Sequence, residues 1–176
     1  MLSKKATLSR TVKHAFASIK ARVLHWRQDG NLPSRVARTG RPSVTFVKTL
    51  GHFYIVDRKL SLVAIRIRTG RRHQIRAHLA FVGHPTVCDG KYTEAEIFNE
   101  DRQWCPRNFL HRYRLAFFDS DGSAQEAAAA LPADLLPALR KLRPRNRESA
   151  LAQQHWQQAA AADLLSWENL VPLLYT

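Results

Sequence analysis

Acidic residues are scarce in the first half of this 176-residue sequence. Residues 1–76 hold 18 Lys and Arg against only Asp29 and Asp57, a net +16 out of +14 for the whole chain; the remainder sums to −2. With a pI near 10.7, such a half suits phosphate backbones or anionic surfaces as partners. Cysteine is nearly absent: Cys88 and Cys105 exclude a disulfide framework and suit a reducing compartment. No apolar run is long enough for a spanning helix, so a membrane partner is not expected. The sequence has no HEXXH or CXXC spacing, which argues against a metal site, and neither a Walker loop nor a dinucleotide fingerprint. No internal repeat is present. What remains is a chain of 45% hydrophobic composition, enough for the core of one domain with a tail.

Residues 1–40 form a basic N-terminal segment. Before Asp29 it holds Lys, Arg, Ser, Thr and Ala and no acid, and it lacks the apolar core of a secretory signal. Two readings stand: an organellar transit segment, mitochondrial or plastid, or a retained arm whose Val12, Phe16, Ile19 and Val23 fall at helical spacing. The stretch DGNLPSRVARTGRP over 29–42 predicts a loop. Period-two patterning then predicts strands over 43–49, 52–56 and 60–68, with a hairpin turn at Asp57–Lys59. Along the last of these, Ser61, Val63, Ile65 and Ile67 share a face, and the opposite face ends in Arg66 and Arg68. A helix is expected over 73–82, stopped by Gly83-His84-Pro85. Residues 93–108 read as irregular, 110–118 as a strand, 133–142 as a helix and 149–167 as a further helix.

The stretch IRIRTGRRHQIRAHLAFVGHPTVCDGKY, Ile65–Tyr92, concentrates the chemistry. A strand, a glycine turn and a helix present backbone N–H groups and the positive end of a helix to an anion. Arg71, Arg72 and Arg76 add full charges there. His73 and Arg76 share one helical face, and Gln74 and His78 another. Such a group can hold a phosphate and still offer hydrogen bonds to a base. The plain alternative is a solvated basic loop. Cys88 fits a small buried residue better than a nucleophile, and Trp104 and Phe109 fit the core; Tyr92 is free to stack on a base.

Thr69, Gly70, Arg71, His73, Gln74, Ile75, Arg76, His78, Gly83, His84, Pro85, Asp89 and Tyr92 match, at fixed offsets, the signature of the RluA-type (ribosomal large subunit) family of RNA pseudouridine synthases, which this stretch closely resembles. SVTFVKTL and LSLVAIRI are similar to the strands that precede the signature, and FLHRYRLAFFD with ALPADLLPALRKL to the closing strand and helix. The resemblance covers residues 41–143, the RluA-like domain, and leaves 144–176 as a helical tail. It implies an α/β (α+β) fold on a mixed, mostly antiparallel sheet with flanking helices, an RNA partner, ribosomal or transfer, and no cofactor. The implied reaction is isomerisation of a flipped-out uridine to pseudouridine, with an aspartate acting at the sugar. By the same match Arg76 is the catalytic partner of that aspartate, and Arg68, Arg71, Arg72, His73, Gln74 and Tyr92 contact RNA.

The sequence departs from the family in one respect. The aspartate belongs to a motif like HRLD-x-x-TSG upstream of the signature, and neither WRQDGNLPS nor YIVDRKLS resembles it. Asp89 belongs to a different step, and Cys88 replaces the glycine usual before it. The N-terminal part of the catalytic domain is therefore expected to be missing. The chain reads as a fragment, as a degenerate RNA-binding or ribosome-associated relative, or as one half of an enzyme completed by a second polypeptide. A basic protein–protein assembly module on the same scaffold is the alternative of a different class.

Overall fold

In the computed structural model, residues 2–10, 15–25, 32–68 and 70–172 are described. Eight strands build one sheet: β1 (Leu2–Arg10), β2 (Phe16–Leu24), β3 (Arg35–Val36), β4 (Arg41–Ile55), β5 (Arg58–Ile67), β6 (Leu110–Phe118), β7 (Ala124–Ala128) and β8 (Arg143–Pro144). Their order is β3-β2-β4-β5-β1-β6-β7, with β8 on the far end of β4. Each of these pairings is antiparallel. Among the described residues four helices flank it: α1 (Gln74–Phe81), α2 (Ala95–Arg102), α3 (Leu136–Arg140) and α4 (Arg147–Gln158).

The N-terminal segment differs from expectation. In place of an arm or an amphipathic helix, its described residues form β1 and β2, inside the sheet, and β3 at its edge. Period two prevails over the helical spacing because β2 has two unlike faces. Ile19 packs with Ile75 and Leu79 of α1, while Lys20 and Arg22 on the other face are exposed. Val12, part of the helical pattern, lies outside the described residues, as does Asp29.

The two strands expected over 43–56 are one long strand, β4, with a register shift between Thr49 and Gly51. A Cβ on Gly51 would stand 2.9 Å from the Phe53 ring and 3.2 Å from the Ser149 backbone. Glycine is what lets β4 pass beneath α4. Helix α4 is docked at this point: the Asn146 side chain accepts from Ser149 N at 3.0 Å, and Ser149 Oγ accepts from His52 N at 2.9 Å.

The sheet separates two hydrophobic clusters. On one face Val47, Val63, Ile65 and Ile67 pack against α1. On the other, Leu8, Leu60, Leu62, Tyr113 and Leu139 form the larger core. Residues 144–176, expected as a tail, contribute to that core with Trp156, Leu164, Trp167 and Leu170. Helix α4 ends at Gln158, short of the expected 167, and a single 3-10 turn follows at Ala161–Asp163. Lys48 then fixes the chain, donating from Nζ to Trp167 O at 2.6 Å and Leu170 O at 2.9 Å. Helix α2 occupies a stretch that the sequence pattern leaves irregular, and strand β7 one that it leaves unassigned.

Candidate functional site

β5 delivers the chain to the Gly70–His73 turn, and α1 starts from that turn. The entry to the helix is tight: Gln74 N donates to Arg71 O at 3.0 Å, and His73 adopts left-handed backbone angles, φ 53° and ψ 15°. Thr69, the first residue of the signature, lies outside the described residues.

The two side-chain pairs on α1 have opposite fates. Gln74 and His78 point into the protein and are buried. Gln74 Nε2 donates to Val44 O at 3.0 Å and lies 3.2 Å from Thr45 Oγ1, and Gln74 Oε1 accepts from Arg71 N at 3.1 Å. His78 Nδ1 is 2.9 Å from the same Thr45 hydroxyl. Burial holds the His78 pKa below its usual value, which favours the neutral ring. Thr45 of β4 is the point at which α1 is pinned to the sheet, and Gln74, expected at the RNA surface, has its amide occupied inside.

His73 and Arg76 face outward. The Arg76 guanidinium lies 5.0 Å from the centre of the Tyr92 ring. His73 meets that ring edge-on, with centroids 5.8 Å apart, and its Nδ1 is 3.2 Å from Tyr92 Oη. The tyrosine hydroxyl donates to Ser34 O at 2.7 Å. Burial, with Arg76, Arg72 and Lys91 close by, lowers the His73 pKa.

Arg76 is also paired within the chain. Its Nε donates to Asp89 Oδ2 at 2.7 Å, and its terminal nitrogen donates to Asp89 Oδ1. The fully buried Asp89 carboxylate accepts two more bonds, from Thr86 Oγ1 at 2.9 Å and Lys91 N at 3.1 Å. Burial alone would lower the Arg76 pKa, but the paired carboxylate outweighs it and raises it. Cys88, just before Asp89, also has left-handed angles, φ 54°. That is a conformation glycine adopts freely and cysteine rarely.

A cavity of about 220 Å³ lies beside this group, lined by Lys5, Arg71, His73, Gln74, Arg76 and apolar side chains, with no carboxylate among the described residues of its lining. Lys5 is the residue that sequence reasoning missed. It is brought here because β1 pairs with β5, Lys5 opposite Ile65; nothing in the local sequence signals a contact made across some 60 residues. Its pKa is lowered by burial and by Arg112, its neighbour across β6. Arg71 and Arg72 also line an adjoining hollow with Arg41. Arg68 is not brought to this cavity: it alternates with Ile67 along the chain and lies in a separate groove with Lys20 and Arg22.

Residues 5–81 match the protein family described as RNA pseudouridylate synthase. An uncharacterized RNA pseudouridine synthase of Mycobacterium bovis is 38% identical over 113 residues, 61% of this chain and 34% of that protein. Ribosomal large subunit pseudouridine synthase D of Vibrio vulnificus is 32% identical over 129 residues, 68% of this chain and 38% of that protein. A 64-residue stretch, 36% of the chain, is 44% identical to a segment making up 1% of a MATH and LRR domain-containing protein of Plasmodium falciparum. Among solved structures, human RNA pseudouridylate synthase domain containing 1 superposes with a TM-score of 0.66 at 23% identity, over 90% of this chain and 66% of that one. The chain is thus RNA pseudouridine synthase-like in sequence, and its fold is that of such domains. It spans about a third to a half of the length of the bacterial relatives it matches.

Proposed function

We propose that this chain binds structured RNA, ribosomal RNA being the first candidate, at the cavity formed by Lys5, Arg71, His73 and Arg76, with Tyr92 beside it. The cavity receives a uridine turned out of the RNA stack, while Arg71 and Arg72 hold the flanking phosphates. Gln74 serves by fixing the turn that presents Arg71. The domain organisation proposed with this reading keeps 41–143 as the RluA-like unit, completes its sheet with β1 and β2, and uses 144–176 to close its core.

The observation that carries the reading is the cavity lining: four cationic or imidazole side chains and, among the described residues, no carboxylate. A polyanion supplies the charge that the chain withholds. The same observation divides binding from catalysis. Isomerisation by the family's route needs a carboxylate at the sugar. Asp89, the nearest carboxylate described at the site, is buried and engaged by Arg76, Thr86 and the Lys91 amide. On the described residues, the chain supplies the RNA-binding part of the chemistry and leaves the attacking carboxylate to another segment or polypeptide.

Two measurements test this. RNA affinity, read by fluorescence anisotropy, should fall steeply with salt and drop about tenfold or more in Arg71→Ala. Incubation of the purified chain with ribosomal RNA should yield no pseudouridine. Salt-insensitive or unchanged binding in the variant refutes the site, and pseudouridine formed by this chain alone refutes the division of labour.

A further inference from the structure

Three cationic hollows lie around the end of the sheet where β2, β4 and β5 meet the Gly70 turn, and the proposed uridine cavity is only one of them. Arg71 is shared between that cavity and a second hollow of about 360 Å³, to which Arg41 and Arg72 also contribute. Beyond the rim formed by Gly40, Arg41 and Pro42 lies a third groove of about 480 Å³, with Lys20, Arg22 and Arg68 in its lining. This groove is on the face of the sheet away from α1. Lys20 and Arg68 alternate with Ile19 and Ile67, whose side chains pack in the α1 cluster.

Strand register explains the spacing of the charges. Lys20 pairs with Val44, and Thr45 pairs with Ile67, so Val44 lies between Lys20 and Arg68 on three adjacent strands. The two charges are thus borne about 10 Å apart on either side of an apolar floor. Arg22 is fixed at the rim, its Nε donating to Gly40 O at 2.7 Å. Lys20, Arg41 and Arg68 form no ion pair among the described residues, and no acid lines the second hollow or the third groove. The Arg71 Nε at the junction is buried without a hydrogen-bond partner.

We infer that an RNA strand entering the uridine cavity continues past Arg71 and Arg41 and turns round the end of the sheet onto the Lys20–Arg22–Arg68 groove, a second backbone-binding site on the opposite face. The inference rests on the proposed RNA binding and extends it. A train of regularly spaced phosphates is the ligand that matches cations distributed along a path with apolar patches between them. A compact anion would occupy one hollow and leave the others empty.

The test uses the full chain, the Lys20→Ala/Arg68→Ala variant, and two single-stranded RNAs, one of about six nucleotides and one of about thirty. Both substitutions are at exposed positions, and circular dichroism checks that the fold is kept. The expected result is a loss of about tenfold in affinity for the long RNA, with a salt dependence shallower by about 1.4 in log–log slope for two lost phosphate contacts. Affinity for the short RNA should not change. Long-RNA binding unaltered by the variant overturns the second site while leaving the uridine cavity in place. Equal losses for both RNAs overturn it as well, since the groove would then not be separate. Polyglutamate binding that the variant loses as strongly as long-RNA binding would assign the groove to an acidic protein and overturn it. If neither these RNAs nor ribosomal RNA binds the unmodified chain, the proposed function fails first.

Discussion

Arg76 and Asp89, 13 residues apart, form a two-pronged ion pair in which the acid is fully buried and the base remains at the surface of the cavity. The pair ties α1 to the loop after it, and it sets the direction in which the remaining guanidinium edge faces.

Arg76→Ala should therefore destabilise the fold even without RNA. It strands a buried carboxylate, a change that commonly costs about 3–5 kcal/mol. The bonds to Asp89 from Thr86 and the Lys91 amide, and the partial exposure of Arg76, place the loss near the lower end. Urea unfolding measures it, and a double-mutant cycle with Asp89→Asn should give a coupling of about 1 kcal/mol or more. A variant as stable as the parent would show that the pair does not hold the loop.

RNA binding should strengthen as pH falls from about 7.5 to 5.5. The free protein holds the His73 pKa below its usual value through burial and the nearby Arg76, Arg72 and Lys91. A docked phosphate raises it, so binding takes up a proton and is favoured in acid. His73→Gln should flatten that pH dependence in anisotropy titrations; an unaltered slope would remove His73 from the interface.

Fold stability should move the other way. His52, His73 and His78 all have folded-state pKa values lowered first by burial. Below their unfolded value of about 6.5 the unfolded chain binds more protons, so stability is complete above that pH and is lost as pH falls through and below it. Thermal melts between pH 7.5 and 5.5, without RNA, should show a falling Tm; a flat profile would contradict these shifts.

Trp156→Ala should cost about 3–5 kcal/mol, the usual loss for a large buried aromatic. Trp156 is 3% exposed and meets Tyr113 edge-on at 5.1 Å. Denaturant titration reads the loss, and a change under about 1 kcal/mol would make α4 an appendage instead of part of the core.

Gly40→Ala should destabilise by about 1–3 kcal/mol. Its Cβ would stand 2.6 Å from the Val23 carbonyl carbon and the Leu24 nitrogen, backbone atoms that cannot step aside without moving β2. The same shift should weaken long-RNA binding, because Arg22 is held at Gly40 O. A normal melt would show that β2 has slack at this point.

Much of the candidate site was legible because it is local. Thirteen signature positions fall between Thr69 and Tyr92, and their helical spacing already separates His73 and Arg76 from Gln74 and His78. Spacing alone does not say which pair faces the core; Thr45, from another strand, decides that. Lys5 was invisible for the same reason. Arg68 stood next to the turn in sequence, yet strand alternation sends it to the other face. In the fold, β5 and β6 were clear from period two. β1 and β2 were obscured by their charge, since lysines and arginines on an exposed strand face resemble a basic helix until the partner strands are known. Residues 95–102 gave no apolar stripe, because α2 buries only Asp101.

β1 lies between β5 and β6, pairing with residues near 60 and near 110. Its hydrogen-bonding partners on one side come about 100 residues later in the chain, Thr7 standing opposite Leu110. During synthesis the two parts of the sheet must wait for each other, with an unpaired edge exposed meanwhile. High contact order of this kind slows folding and favours early association with a chaperone or a sister chain over rapid, independent closure.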